Sequence, residues 1–459
     1  MSALIVNTIA DWISSLLKHI PKKLRPSLLE LLFAAIIASG HVSDALLAIT
    51  FFNHWTSYYK LIEYSHFSIL SLAIGWFQLS YSLDLSTRPL WAIDDTICFR
   101  SSQNAPGADF HFDHSHKTNR PDYPLSQLFV SLFSIPQHEG KHSAIPIWMH
   151  LTEKDGNRSK LEIARNIVLI ADKHRIDDRK PLLLTDSWYM KKPFISPLLK
   201  HQIHCVGQIR KDSTLFLPPE PATRKRGRPP KYGPKLSFQR VTELFKLESF
   251  SLPAWGQKRT FEFYFFQAKT RFLDGLLCNC VWCRFSTDDK SPTTWHLILS
   301  TDTSLGAIEI ITYYAKRWSV EPAFNDIKNT FGLAKAWQQT KKAFARWRCL
   351  ICIAYGICSY CSLFFGQRLA DIVPIPWRKG HSMTPGWARK VLDRIFRYFP
   401  VRLCWDRTLQ KMIIPEELLN RILKKIAQDL AHRPPFSFLY FQPSYRLDWF
   451  HLLFYRCLR

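Results

Sequence analysis

The stretch YYAKRWSVEPAFNDIK, residues 313–328, decides how this chain is read. Tyr314, Glu321 and Lys328 follow one another at steps of seven, two helical turns each, and Arg317 stands three residues after Tyr314 and four before Glu321. On one continuous helix the four side chains form a single stripe. Pro322 interrupts that picture, because inside a helix it removes a hydrogen bond and clashes with the carbonyl four residues back. Ser319 offers a second arrangement, capping a new helix with Pro322 in its first turn. Glu321 then starts that helix while Tyr314 ends the preceding one. The plainest role for Arg317 and Glu321 is a surface ion pair worth roughly 0.3–0.5 kcal/mol.

Upstream, three short apolar runs, LWAIDDTICF (90–99), LFVSLFSI (128–135) and AIPIWMHL (144–151), are separated by polar, Gly- or Pro-containing loops and predict a β-meander. KLEIARNIVLIADKH (160–174) has helical spacing, and PLLLTDSWY (181–189) reads as a buried strand ending at Asp186. Three strands, a helix and another strand make a mixed α/β domain in which Asp94 and Asp95 close the first strand and Asp186 the fourth. Acidic residues at strand ends lie at a sheet rim, where they can ligate a cation without being buried unpaired. Taken singly, each is equally an ordinary turn starter.

Together these motifs carry a resemblance. Tyr314, Arg317, Glu321 and Lys328 match in spacing the tyrosine-arginine-glutamate-lysine signature of cut-and-paste insertion-sequence transposases of the DDE class. DDT (94–96), followed by RSSQNAPG (100–107), and TDSWY (185–189) are similar to that family's first and second acidic motifs. The β-rich sequence between Asp186 and Glu321 resembles the insertion that interrupts the family's RNase H-like domain. The resemblance covers residues 85–335 and reaches the two ends only in texture. It implies that the chain cleaves DNA strands at element ends and transfers them into target DNA, with Asp94, Asp186 and Glu321 as metal-holding catalytic acids. The family's first motif places its acid two residues before a Thr, which selects Asp94, while related sequences with an acidic pair leave Asp95 open. Three carboxylates can hold two divalent cations, one activating water or a 3′ hydroxyl and the other stabilising the leaving oxygen. Oxygen-only ligation favours Mg²⁺ or Mn²⁺. Tyr314, Arg317 and Lys328 are similar to family residues that contact DNA phosphates. The implied partner is double-stranded DNA, as terminal inverted repeats and target, bound by a dimer. A DNA-binding descendant without catalysis and another RNase H-like nuclease, such as a junction resolvase, are the competing readings.

Composition agrees with a polyanionic partner. The 459 residues carry 62 Lys and Arg against 37 Asp and Glu, a formal charge of +25. No basic start followed by an apolar run and a small-residue cleavage site is visible, so a cytoplasmic, prokaryotic and nucleoid-associated protein is expected. Leu28–Ser39 and Phe67–Leu79 fall short of the roughly 20 residues that span a bilayer and predict buried helices, with no membrane partner. The eleven cysteines read as reduced thiols. LCNCVWC (277–283) invites a zinc site at Cys278, Cys280 and Cys283, but its alternation suits a strand and no second ligand pair follows. Cys349, Cys352, Cys358 and Cys361 lie in an apolar helical run where Cys packs as a small hydrophobe. His111, His114 and His116 with Asp113 form a further metal candidate, set in polar loop sequence.

The expected organisation is a helical N-terminal domain over 1–85 that contacts DNA, an RNase H-like domain in two parts (86–201 and 291–340), a mostly β insertion over 202–290, and a helical, basic and aromatic region over 341–459. Within the insertion, TRKRGRPPKYGPKL (223–236) holds Arg224, Lys225, Arg226, Arg228 and Lys231 around an Arg-Gly-Arg-Pro core, the form of an AT-hook. There Gly lets the backbone lie deep in a narrow A·T-rich minor groove whose potential attracts the arginines. Further on, residues 377–411 interleave nine basic residues with Trp377, Trp387 and Trp405, a composition suited to DNA backbone binding or a dimer contact on DNA.

Overall fold

Strands covered on both faces read as unbroken apolar runs, and LWAI, LFVSLF and LLLT build such strands. The computed structural model describes the chain except residues 1, 39, 114–117, 120, 154–158, 221–229, 255–256, 287–293, 374, 376–377, 379, 398 and 432–459. Five helices come first: α1 (Ser2–Leu17), α2 (Arg25–Ile37), α3 (Val42–Leu47), α4 (Trp55–Glu63) and α5 (Ile69–Leu83). There follow β1 (Leu90–Phe99), β2 (Ala108–Phe110), β3 (Leu125–Ser134), the hairpin β4 (Gln137–His138) and β5 (Lys141–His142), and β6 (Ile145–Leu151). Next are α6 (Lys160–Lys173), β7 (Leu182–Thr185), α7 (Lys192–Lys200) and β8 (His204–Ile209). β9 (Leu215–Phe216), β10 (Lys235–Leu236), α8 (Phe238–Leu244), β11 (Glu248–Ala254), β12 (Gln257–Thr270), β13 (Leu276–Ser286) and β14 (His296–Ser300) lead to α9 (Ala307–Arg317) and α10 (Val320–Asn325). α11 (Lys341–Ile372), α12 (Pro385–Phe396), the hairpin β15 (Trp405–Asp406) and β16 (Lys411–Met412), and α13 (Glu416–Ala431) end the described chain.

One large mixed sheet organises the whole. β6, β3 and β1 are successively antiparallel, and β1, β7 and β8 are successively parallel. β14, β13 and β12 continue from β8 in antiparallel order. HCVGQI, grouped in the sequence with the insertion, is therefore the parallel neighbour of the strand that ends before Asp186, and the strands beyond it extend the same sheet. LSFQRV departs from its strand-like reading: Ser237 accepts a hydrogen bond from the Arg240 amide (3.2 Å), caps α8 and turns the segment helical. Asp94 and Asp95 do not close β1 as expected. β1 runs on to Phe99 because β3 pairs with it throughout, whereas its parallel partner β7 stops at Thr185.

Side-chain alternation divides the core in two. Leu90, Ala92, Leu182 and Leu184 face α9–α12 and the N-terminal helices, while Trp91, Ile93 and Leu183 face α6 and α7. α11 is the central rod of the first layer, in contact with α2, α4, α5, α12 and β6. It is long and apolar enough to cross a membrane by length and composition, but most of its apolar window is buried against the rest of the chain. Arg346 ties α11 to the α4–α5 connection by donating to the carbonyls of Leu61, Ile62, Ser65 and Phe67.

Two predictions follow from this packing. A methyl group on Gly356 of α11 would run into Cζ2 of Trp76, and Trp76 is fully buried with its Nε1 donating to the Pro146 carbonyl at 2.8 Å. Ala would gain about 1 kcal/mol of helix propensity, but overpacking costs about 1–3 kcal/mol and the tethered indole has no room to yield. Gly356→Ala should lower the urea midpoint, a net loss of about 1–2 kcal/mol; an unchanged or higher midpoint would mean that Trp76 can move. The second concerns the cysteines of β13. Cys278 and Cys280 face the α6–α7 layer and Cys283 the opposite one, so the three cannot converge on one ion. Burial pushes Cys278 and Cys283 up to about 12 and holds Cys280 well above its ordinary value. These three thiols should resist alkylation at pH 8 until the chain is unfolded, and the purified protein should carry no stoichiometric zinc.

Candidate active site

Parallel pairing sets Ala92 beside Leu184 and Ile93 beside Thr185, so the next step of the register sets Asp94 beside Asp186. Both carboxylates lie where the shorter strand ends, on the α9–α10 side. Asp186 is held by its own turn, its Oδ1 accepting from the amides of Trp188 (3.0 Å) and Tyr189 (3.2 Å). Asp95, one residue on, projects to the other face. There its Oδ1 accepts from the Tyr189 hydroxyl (2.9 Å) and its Oδ2 from Lys160 Nζ (3.0 Å) at the start of α6.

The signature stretch takes the second of its two expected arrangements. α9 ends at Arg317 and α10 begins at Val320, with Glu321 and Pro322 in its first turn. Trp318 and Ser319 keep helical dihedrals but close tighter turns: the amides of Trp318, Ser319 and Glu321 each bond the carbonyl three residues back. Ser319 does not cap α10 with its side chain, which donates back to the Lys316 carbonyl (2.7 Å). Arg317 and Glu321 stay neighbours across the junction, Nη2 to Oε1 at 3.8 Å, and Arg317 Nη1 reaches Asp94 Oδ2 at 2.9 Å. α10 then widens into a π-helical turn, Asp326–Thr330, with the Phe331 amide bonding the Asp326 carbonyl. Such turns recur at functional sites. This one carries Lys328, whose Nζ donates to Thr96 Oγ1 at 3.1 Å. Thr96 shares the Asp94 face of β1. Tyr314 donates to Gln208 of β8 (3.3 Å), and its ring lies 5.6 Å from the Arg317 guanidinium.

Electrostatically the site is a set of half-buried acids around a half-buried cation. Spacing alone suggests a surface contact between Arg317 and Glu321, which is 28% exposed, whereas the shorter pair is Arg317 with Asp94, 12% and 16% exposed. Burial raises the pKa of Asp94; Arg317 offsets part of this, and Asp186 and Asp95 add to it. Asp186 is raised in the same way, by burial and by Asp95 against the pull of Arg317. Burial opposes the charge on Arg317, yet Tyr314, Asp94, Glu321 and Asp186 together hold its pKa above the ordinary value. Several mutually repelling carboxylates therefore share one side chain's positive charge. The donor set of Asp94, Asp186 and Glu321 is all oxygen, which fits a hard divalent cation. In this arrangement it closes on Arg317, and among the described residues no three His, Cys, Asp or Glu side chains are gathered to hold a metal.

Arg224, Lys225, Arg226 and Arg228 lie outside the described residues, as do His114 and His116. Lys231 is exposed beside Tyr232. In the basic C-terminal stretch Arg389 and Arg402 turn inward, Arg389 to the carbonyls of Thr330 and Ile37 and Arg402 to the fully buried Glu30. They are internal ties, not a DNA surface. Sequence reading passed over Lys160, Trp188 and Tyr189, which surround Asp95. Lys160 and Lys191 Nζ lie 4.2 and 4.4 Å from the Trp188 ring. The aromatic pair two and three residues after Asp186 was the available signal.

Three comparisons bear on the site. No curated protein matches the chain. Among solved structures the chain is similar to the cryo-EM structure of a piggyBac transposase synaptic complex with hairpin DNA, at 12% identity and TM-score 0.32, covering 73% of this chain and 57% of that one. A similarity of that size carries no argument. Residues 140–357, which include Asp186, Tyr314, Arg317, Glu321 and Lys328 but not Asp94, match the family model of the transposase DDE domain, and this match supports reading the chain as a DDE transposase.

Proposed function

We propose that this chain is a DNA transposase that cleaves strands at the ends of a mobile element and joins them to target DNA, with Asp94, Asp186 and Glu321 as its catalytic acids. The observation that carries the reading is the placement of Asp94 on β1 beside Asp186 just past the end of its parallel neighbour β7, with Glu321 brought to the same face through Arg317. The order β6-β3-β1-β7-β8, antiparallel then parallel, supports an RNase H-like core for residues 86–209 and 291–340, with β9–β13 as its insertion. The opposite orientation of Asp95 favours Asp94 as the first acid and makes Asp95 an anchor for Lys160 and Tyr189.

Asp94, Asp186 and Glu321 would hold two Mg²⁺ or Mn²⁺ ions, which when bound supply activation of the attacking oxygen and stabilisation of the leaving one. The protein's own side chains supply the rest. Arg317 balances the carboxylates, and its buried Nε meets no acceptor among the described residues, which suits a donor kept for a phosphate oxygen. Lys328 and Tyr314 flank it along the groove and suit further phosphate contacts. The formal charge of +25 draws double-stranded DNA, terminal repeat and target alike, to this face. A dimer on DNA and a place in the prokaryotic cytoplasm complete the proposal.

Alanine at Asp94, Asp186 or Glu321 should abolish strand cleavage while DNA affinity stays within a few fold, whereas Asp95→Asn should keep measurable cleavage. Full activity of Glu321→Ala, or loss with Asp95→Asn but not Asp94→Ala, would overturn the assignment. EDTA should stop cleavage and Mg²⁺ or Mn²⁺ restore it. Binding without cleavage under every metal condition would instead indicate a DNA-binding descendant. Separately, Arg226→Ala with Arg228→Ala should weaken binding to A·T-rich duplexes more than to G·C-rich ones, because minor-groove arginines sense groove width. An equal loss on both, read by fluorescence anisotropy, would demote the segment to a basic linker.

A further inference from the structure

Past Thr96, β1 ends against a cavity of about 370 Å³ that plays no part in the carboxylate site. One wall is the loop after Phe99, with Ser101, Ser102 and Asn104; the other is the segment Trp337, Gln338 and Gln339. Arg100 braces both. Its Nε donates to Gln127 Oε1 (2.6 Å) and its Nη1 and Nη2 to the carbonyls of Ala334 (2.7 Å) and Leu333 (3.0 Å), while Gln127 Nε2 donates to the Pro106 carbonyl (2.6 Å). With Gln127 fully buried, the walls are held apart without a ligand. Two features mark the cavity as a receptor. Trp337 leaves 57% of its surface exposed, with His41 near-parallel to it at 6.2 Å between centroids. Gln338 Oε1 is shut off from solvent with no hydrogen-bond partner among the described residues.

The lining excludes several ligands. Arg100, the one charged residue in the lining, spends three of its five N–H donors on protein acceptors, which makes it a brace between the walls more than a phosphate ligand. Hydroxyls and carboxamides around an indole face fit a flat, neutral ring with donors and acceptors on its edge. A nucleobase has that form: it stacks on aromatic side chains and pairs along its edge with Gln or Asn.

We propose that this cavity receives an unpaired base of the bound DNA, stacked on Trp337 and bonded at its edge by the Gln338 carboxamide, which turns to meet it. The proposal rests on the transposase reading. It is tested with the full chain and two probes, a blunt duplex and the same duplex with a short single-stranded extension carrying 2-aminopurine. The extended probe should bind about tenfold tighter, with quenched 2-aminopurine emission. Trp337→Ala and Gln338→Leu should each erase that preference and the quenching while leaving blunt-duplex binding and the thermal unfolding curve unchanged. An equal loss on both probes would make Trp337 a general backbone contact and overturn the proposal, as would cleavage-competent protein that shows no preference. Failure of the unaltered chain to bind either probe would overturn this proposal and the transposase reading together.

Discussion

The Arg317 guanidinium joins the parts of this protein that must meet. It lies at the end of α9, bonds Asp94 on β1, lies near Glu321 on α10 and is drawn toward Asp186 beyond β7. Without it, burial and mutual repulsion would drive the acids toward their protonated forms, because a carboxylate out of water needs a compensating charge. Removing one partner of a fully buried pair costs about 3–5 kcal/mol, and the Arg317–Asp94 pair, 12% and 16% exposed, lies between that and the roughly 0.3–0.5 kcal/mol of a surface pair. Register in the sheet and the junction between α9 and α10 are thus coupled through a single side chain.

Strand parity does the sorting around it. Asp94 and Asp95 are adjacent in sequence and chemically alike, yet the pleat sends one to the Arg317 face and the other to Lys160 and Tyr189. The same alternation separates Cys278 and Cys280 from Cys283 and dissolves the zinc reading. β7 is short, only four residues. Because it stops at Thr185 while β1 continues, the rim carrying Asp186 opens beside a strand that runs on past Thr96 to the Trp337 cavity.

Basic residues divide between surface and interior. Arg346, Arg389 and Arg402 donate to backbone carbonyls or to Glu30 inside the helical layer. A high net charge therefore overstates the cations available to DNA. Lys328 is anchored to Thr96 along the groove from Asp94, and its placement in a π-helical turn gives that anchor its geometry.

How much of this was legible beforehand follows from which forces are local. The helical spacing of Tyr314, Arg317, Glu321 and Lys328, the break that Pro322 imposes, the apolar runs of β1, β3 and β7, and the packing role of the cysteines in α11 depend on near neighbours in the chain, and the sequence determined them. The sharing of Arg317 between Asp94 and Glu321, the turning of Asp95 to the opposite face, the place of HCVGQI as a parallel strand, the helix at Phe238–Leu244 and the inward turn of Arg389 and Arg402 depend on residues tens to hundreds of positions apart. Only the tertiary structure decided those, because register and burial are set by which strands and helices pair, and no local pattern of residue types encodes the partner.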